Sequence, residues 1–273
     1  MEKRPRCIGH MRKESLNRDI VIRTLVGALE PLDFVYACYE GGAAAFKRID
    51  QWSDIDMYLV VDDHKVDETF RIVEDALKSL STIKQKYQPE RLPWPDVWQA
   101  FYKLEDAPEF LLIDLVILKL TSPEMFLEPK MHGDVVFYFN KSDRVKKPQL
   151  DRSALATKLH KRLERLKARF DMFNVFVQKE INRGNHLEAI DLYHTFTIAV
   201  LVEALRIKHN PVHHEFKMHY IRHELPSNAA KRLEQLCFVR NEKDLQVKYH
   251  EATQWFLELM SEIDLRSIEA SVV

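Results

Sequence analysis

The sequence predicts an α+β protein: a mixed β-sheet with helices over residues 1–147, followed by an all-α helix bundle over residues 148–273. Three observations predict this architecture. Short apolar runs alternate with helical patterns in the first half of the chain. From Asp151 onward the apolar residues recur only at helical steps of three and four. The change in pattern falls near Lys146, Lys147 and Pro148, a polar segment that marks the expected domain boundary.

The elements of the first half follow from residue periodicity and from the residues that end each run. Apolar residues at helical spacing before Pro31 predict a first helix, and short apolar runs predict strands. A polar stretch with three prolines predicts a loop at residues 84–95. In chain order, the predicted elements are a helix at 13–29, strands at 34–38 and 55–61, a helix at 66–80, and strands at 96–104, 110–118 and 135–139.

The second half predicts helices alone. An apolar stripe from Leu155 to Ile181 repeats at three- and four-residue steps, as in one long amphipathic helix. Gly184 is placed to end that helix in a left-handed conformation, and Pro211 stops the next helix. The predicted helices are 151–183, 187–208, 228–238 and 245–261.

The composition narrows the possible functions. Forty-one basic residues against 42 acidic ones leave a formal charge of −1, so no overall positive field holds a nucleic-acid backbone and no extended nucleic-acid binding is expected. No apolar run is long enough to cross a bilayer, and no apolar segment follows the basic N-terminus, so neither a membrane partner nor a secretory signal is expected. The cysteines, Cys7, Cys38 and Cys237, form no CxxC pair, and we therefore expect a reducing cytoplasmic location.

Gly41 and Gly42 begin the segment that carries chemistry. The chain has only 6 glycines, so an adjacent pair is informative. Without Cβ atoms, the backbone N–H groups of this pair can approach a phosphate closely, and the short helix that follows adds partial positive charge. Asp54 and Asp56 then begin the next strand on one face, since alternate strand residues point the same way. Two adjacent carboxylates suit Mg²⁺ when water and phosphate oxygens supply its other ligands.

Asp114 is the third carboxylate of interest. It interrupts the apolar run Phe110–Leu118, where an unpartnered charge is costly to bury. On a strand beside Asp54 and Asp56, it would be a further metal ligand or a general base that takes a proton from a hydroxyl group. The competing interpretation is a structural ion pair with an interior Arg or Lys.

Taken together, Gly41-Gly42, Ser53-Asp54-Ile55-Asp56 and the later Asp114 resemble the signature of the DNA-polymerase-β-like nucleotidyltransferase superfamily. The Ser-Asp-Ile-Asp form and the helical second half are similar to the antibiotic nucleotidyltransferases of the aminoglycoside and lincosamide type. The resemblance covers residues from about Asp33 to Leu259. It implies a catalytic α/β domain, with the active site in a cleft facing a helix bundle.

The resemblance also implies roles for individual residues. Ser53, with the two glycines, would contact the phosphates. Lys47 or Arg48 would replace an arginine that commonly follows the glycines in the family. From the helical half, Lys217 and Arg222 would reach the triphosphate, although an ordinary exposed lysine is an equally good interpretation of Lys217.

The implied reaction is metal-dependent transfer of a nucleoside monophosphate, AMP in the first instance, from ATP or another NTP to a hydroxyl of a small molecule. Mg²⁺ or Mn²⁺ would be the metal. A nucleotidyltransferase that modifies a protein, and a non-catalytic nucleotide-binding regulatory protein, are the alternatives. The sequence leaves open the acceptor, the nucleotide, a role in antibiotic resistance, and whether two subunits pair as a homodimer.

Overall fold

The computed structural model describes residues 16–263. The chain divides into two compact units, of which the first ends at Gln149 and the second begins at Leu150. The predicted fold class is confirmed, because a mixed six-stranded sheet with helices is followed by helices alone. Residues 13–15 of the predicted first helix, and Cys7, lie outside the described residues. Within 16–263, no helix is long and apolar enough to cross a membrane.

The first unit consists of strands and the helices that join them. The strands are β1 (Val35–Glu40), β2 (Ile55–Val61), β3 (Ile83–Tyr87), β4 (Val97–Leu104), β5 (Ile113–Lys119) and β6 (Val136–Asn140). The helices are α1 (Arg18–Leu29), α2 (Gly42–Ala45), α3 (Val66–Leu80) and α4 (Pro129–His132). The strand order is β3-β4-β5-β2-β1-β6, and β2 pairs with β5 in parallel while the other pairs are antiparallel.

The structure corrects two predicted boundaries in this unit. The predicted strand at 110–118 begins only at Ile113, because the preceding residues form a turn in which the Leu111 N–H donates to the Pro108 carbonyl at 3.0 Å. The predicted loop at 84–95 is wrong in its first part, where β3 pairs with β4. That strand lies at the sheet edge with mostly exposed polar side chains, so it lacks the apolar alternation that reveals a strand.

The two faces of the sheet have different coverings. On one face α1 and α3 pack a buried core that includes Leu25, Phe70 and Met57. The other face contains a smaller cluster that includes Tyr39 and Val60. Since side chains alternate along a strand, the residues on either side of Met57 belong to this second face. The predicted carboxylates therefore lie on the face opposite α1 and α3.

The second unit is entirely helical within its described part, up to residue 263. Its α-helices are α5 (Arg152–Phe173), α6 (Val175–Arg183), α7 (His186–Leu192), α8 (Ala199–His209), α9 (Ile221–Glu224), α10 (Ser227–Cys237) and α11 (Glu242–Glu262). A π-helical segment, Tyr193–Ile198, joins α7 to α8, and a short 3₁₀ turn, Pro211–His213, follows α8. The amphipathic faces enclose one large apolar core.

Two predicted helices of this unit are each divided in the structure. The predicted helix at 151–183 is interrupted at Asn174, whose buried side chain donates to Tyr249 and Thr253 and accepts from Thr197 at 2.6 Å. The predicted helix at 187–208 contains the π-helical segment, to which Thr197 belongs. Gly184 adopts the predicted left-handed conformation, with φ 76°. The helix is thus interrupted where Asn174 makes long-range hydrogen bonds, and the apolar periodicity of the sequence does not predict such bonds.

Candidate active site

The turn between β1 and α2 requires glycine for two separate reasons. Gly42 has φ +50°, and a Cβ placed on it would overlap the Asp56 carboxylate. A Cβ on Gly41 would lie 2.8 Å from Cε2 of Tyr58, and the Gly41 N–H donates to the Asp56 carbonyl at 2.9 Å. Helix α2 has only 4 residues, so the close backbone approach, rather than a long helix dipole, is what this turn offers an anion.

We expect Gly42→Ala to destabilise the protein by about 2–4 kcal/mol, since it combines a strained left-handed backbone with displacement of Asp56. Urea denaturation measures this loss. Gly184→Ala is the matched control, because Gly184 also has a positive φ but open space around its Cβ position. It should lose only about 1 kcal/mol. Equal losses in both variants would show that the Asp56 contact contributes nothing.

The parallel pairing of β2 with β5 brings two predicted carboxylates together. Asp56 lies directly opposite Asp114 in the ladder, and Asp54 precedes the first residue of β2. The Ile55 N–H donates to the Leu112 carbonyl at 2.9 Å, which extends the pairing one step beyond β5. The residues on which the sequence argument depends are therefore neighbours at one end of these two strands.

Asp114 has an amide partner rather than the interior Arg or Lys of the competing interpretation. Nε2 of Gln99, on β4, lies 2.8 Å and 3.0 Å from the two oxygens of Asp114. Burial raises the pKa of Asp114 to about 6, the Gln99 hydrogen bond opposes this, and repulsion from Asp56 and Asp54 adds to it. A carboxylate in this pKa range is ionised at neutral pH and still basic enough to accept a proton.

The raised pKa of Asp114 predicts a pH dependence of stability in metal-free protein. The protonated carboxyl is favoured in the folded state, so its contribution is fully present below the unfolded pKa of about 4 and is lost as pH rises through about 6. The loss is at most about 3 kcal/mol. Thermal unfolding in EDTA from pH 4 to 7 measures it.

Asp114→Asn is the comparison variant, since an amide does not titrate in this range. Its melting temperature should vary less than that of the wild type between pH 4 and 7. Identical profiles for the two proteins would mean that the folded-state pKa of Asp114 is not raised.

Asp54 is bonded to a network of Arg18, Glu40 and Tyr138 that has no signal in the sequence. Burial raises the pKa of the Asp54 carboxyl, while a hydrogen bond from the Leu112 N–H and the charge of Arg18 oppose the shift. Arg18, on α1, donates to the Asp54 carbonyl and forms an ion pair with the buried Glu40, which also accepts from Tyr138. Arg18 thereby connects the residue before Gly41 to the residue before β2.

Three residues that contact the candidate site were therefore given no role from the sequence: Arg18, Glu40 and Gln99. Arg18 and Asp54 are 36 residues apart, and Gln99 and Asp114 are 15 apart, so neither contact has a local signal. Gln99 could have been identified from the sequence, because it is a polar residue in the predicted strand next to the strand of Asp114.

The predicted phosphate-binding side chains of the first unit have other contacts. The Ser53 hydroxyl accepts from the Asp50 N–H at 2.9 Å and donates to the Asp50 carboxylate at 3.0 Å, which closes a turn. Lys47 is exposed, with a left-handed φ of 56°. The Arg48 guanidinium lies over the Phe46 ring, 5.2 Å from its centroid. The phosphate roles of Ser53, Lys47 and Arg48 stay predictions.

Lys217 and Arg222 lie in the helical unit and line different cavities there. Lys217 is exposed and lines a cavity of about 670 Å³ together with Arg162 and Arg169. Arg222 lines a cavity of about 590 Å³, and its Nη2 lies 2.5 Å from Oε1 of Glu234. Because Arg222 already has the Glu234 carboxylate as a partner, Lys217 is the better candidate for an anion ligand.

The carboxylates fit a divalent cation in charge and atom type. Asp54 and Asp56 are near enough to Asp114 for their charges to contribute to its raised pKa. Hard oxygen donors of this kind suit Mg²⁺ or Mn²⁺. Within residues 16–263, no group of three His, Cys, Asp or Glu side chains is arranged to hold a metal as it stands. Gln99 holds the Asp114 oxygens and the Leu112 N–H bonds Asp54, so the three-carboxylate metal site stays a prediction.

Comparison with known proteins gives matches among solved structures only. No protein-family model matches the chain, and no curated protein matches it. An aminoglycoside 6-adenyltransferase from Bacillus subtilis shares 13% identity over 90% of this chain and 92% of that chain, with a TM-score of 0.33. A spectinomycin adenyltransferase from Enterococcus faecialis, solved with ATP and spectinomycin, shares 11% identity over 90% of this chain and 98% of that chain, with a TM-score of 0.37.

These two structures are an aminoglycoside adenyltransferase and a spectinomycin adenyltransferase. At these identities and TM-scores, neither likeness establishes an activity for this chain. A function for this chain must therefore follow from the residues of the site itself.

Proposed function

We propose that this protein is a Mg²⁺-dependent nucleotidyltransferase that moves a nucleoside monophosphate, AMP in the first instance, from an NTP to a hydroxyl group of a small molecule. One observation carries the proposal. Asp56 pairs in register with Asp114, and Asp56 also lies against the turn at Gly42, where a Cβ would overlap its carboxylate. Phosphate binding and carboxylate chemistry are thus supported in one place.

In the proposed reaction, the acceptor hydroxyl oxygen forms a bond to the α-phosphorus of the NTP. The bond from that phosphorus to the bridging oxygen of pyrophosphate breaks, and pyrophosphate leaves. Asp114 takes the hydroxyl proton, which its raised pKa suits, and the Gln99 amide holds the carboxylate in position. The glycine turn lets phosphate oxygens approach the backbone closely. The Gly42 N–H is the proposed donor, because the Gly41 N–H is held by the Asp56 carbonyl.

Asp54 and Asp56 would hold the divalent cation, with Asp114 as a third ligand in the alternative arrangement. When bound, Mg²⁺ would neutralise negative charge on the phosphates. Arg18 and Glu40 position the ends of β1 and of the segment that carries Asp54. Lys217 of the helical unit is the proposed further contact to the triphosphate.

The direct test is a screen for pyrophosphate release. Purified protein is incubated with Mg²⁺ or Mn²⁺, with ATP, GTP, CTP or UTP in turn, and with a panel of aminoglycosides and lincosamides. The proposal expects at least one nucleotide and acceptor pair to give pyrophosphate and a nucleotidylated acceptor in equal amounts. Failure of every nucleotide to bind in the presence of metal, measured by calorimetry, would overturn it.

Nucleotide binding without transfer would instead favour the non-catalytic regulatory alternative. A nucleotidylated protein with no modified small molecule would favour the protein-modifying alternative. Mass spectrometry of the reaction mixture distinguishes the two.

A further inference from the structure

Two exposed aromatic side chains precede β2 and β5, the strands that carry Asp56 and Asp114, and have no role in the chemistry described above. Trp52 is 57% exposed and Phe110 is 56% exposed. Their ring centroids are 4.9 Å apart and the ring planes meet at 81°, which is an edge-to-face arrangement. Large aromatic side chains exposed together are uncommon on a surface that binds nothing.

Both aromatic residues are close in sequence to Asp54 or to its hydrogen-bond partner Leu112. Trp52 stands two residues before Asp54, and Phe110 stands two residues before Leu112. Asp54 and Leu112 are themselves bonded, since the Leu112 N–H donates to the Asp54 carboxyl. The aromatic pair therefore extends the pairing of β2 with β5 outward, past the end at which Asp56 and Asp114 lie.

The turn before β2 holds Trp52 in place. The Asp50 carboxylate accepts from the Trp52 N–H at 2.9 Å and from the Ser53 hydroxyl at 3.0 Å. The turn fixes the Trp52 backbone and Phe110 packs against its ring, so less conformational entropy is lost when a ligand packs there. This arrangement also gives the Ser53 hydroxyl a positioning role.

The strand order shows on which side of Asp56 the segment of Phe110 lies. In the order β5-β2-β1, Gly41 and Gly42 follow β1, on one side of Asp56, while Asp114 lies on β5, on the other side. Phe110 precedes β5 and is therefore on the side of the proposed general base, away from the phosphate-binding turn. The acceptor hydroxyl must lie on the side of the base that takes its proton.

We propose that Trp52 and Phe110 form the platform that binds the ring of the acceptor, so that the acceptor is a cyclic molecule with an apolar face. This inference rests on the proposed function. A saturated or aromatic ring packs one face on the Trp52 indole, and Phe110 supports the indole edge-on. The acceptor hydroxyl then points toward Asp114.

The test compares Trp52→Ala, Phe110→Ala and the conservative Trp52→Phe with wild type. Pyrophosphate release is measured with ATP and with spectinomycin, kanamycin or lincomycin as acceptor. Each alanine variant should raise the acceptor KM roughly tenfold while leaving the ATP KM unchanged, because the platform contacts one substrate only. Trp52→Phe, which keeps an aromatic face, should stay near wild type.

Trp94→Ala is the matched control. Trp94 is also a half-exposed tryptophan, at 45%, packed edge-on against a phenylalanine, Phe126, with centroids 5.1 Å apart. It precedes Val97, which pairs with Leu118 at the far end of β5 from Asp114. We expect no change in the acceptor KM. A rise in the ATP KM for Trp52→Ala, no rise in either KM, or an equal effect of Trp94→Ala would overturn the inference.

A binding measurement separates this inference from the proposed function. The same compounds are titrated into wild type and Trp52→Phe in the presence of Mg²⁺ and ATP, and tryptophan fluorescence is followed. A saturable change that is lost in Trp52→Phe but kept in Trp94→Phe supports the platform even if no transfer is detected. If wild type transfers nucleotide but the fluorescence change persists in Trp52→Phe, the proposed function stands and the platform is wrong.

Discussion

Asp56→Asn should abolish Mg²⁺-dependent pyrophosphate release, by about a thousandfold or more, while the protein stays folded. Asp56 is the one carboxylate that lies both against the Gly42 turn and opposite Asp114. In the proposed mechanism, its removal would take away a charged oxygen ligand from the place where phosphate charge is neutralised, which is worth several kcal/mol in the transition state. Asp54→Asn should have the same effect on turnover.

The fold should survive because these carboxylates repel one another. Asp56 and Asp54 both raise the pKa of Asp114 by their charge, so a neutral amide at either position removes an unfavourable interaction. Unfolding in EDTA should therefore show unchanged or slightly higher stability. Asp75→Asn, at a 79% exposed side chain on α3, is the control and should keep full activity. Full activity of Asp56→Asn or Asp54→Asn would contradict the proposed mechanism.

The parts of the site that the sequence revealed are those with short-range signals. The glycine pair can be identified from the sequence because no other residue adopts its backbone conformations as readily. Asp54 and Asp56 can be identified because alternate residues of a strand lie on one face. Asp114 can be identified because burying a charged side chain in an apolar run is costly unless it has a partner. The pairing of β2 with β5 then brings Asp56 and Asp114 together, which the strand predictions allowed but did not determine.

The parts that were missed depend on contacts between distant residues. Helix α1 contains two basic residues, Arg18 and Arg23, and only the folded chain shows that Arg18 bonds the Asp54 carbonyl and Glu40. Trp52 gives no periodic signal because it lies in a turn. The edge strand β3 was missed for a related reason, since its side chains face water on both sides.

A second large effect is expected in the helical unit, where Arg206→Met should destabilise the protein by about 3–5 kcal/mol. The Arg206 side chain is fully buried, and its Nη1 lies 2.6 Å from Oε2 of Glu224. Its Nε donates to the Lys217 carbonyl at 2.6 Å, and its Nη2 donates to the His219 carbonyl. Removing the guanidinium leaves the buried Glu224 charge with His213 as its remaining described ion-pair partner. Urea denaturation followed by circular dichroism measures the loss.

Two further variants give this prediction its control. Arg222→Met breaks an ion pair with Glu234 whose arginine side chain is 74% exposed, so solvent already screens it and the loss should stay below about 1 kcal/mol. The double variant Arg206→Met, Glu224→Gln removes the buried charge together with its partner and should recover part of the lost stability. If Arg206→Met is no less stable than Arg222→Met, the buried pair does not hold this segment. If it is less stable as expected, the buried Arg206–Glu224 pair stabilises the segment whose Lys217 carbonyl Arg206 also bonds.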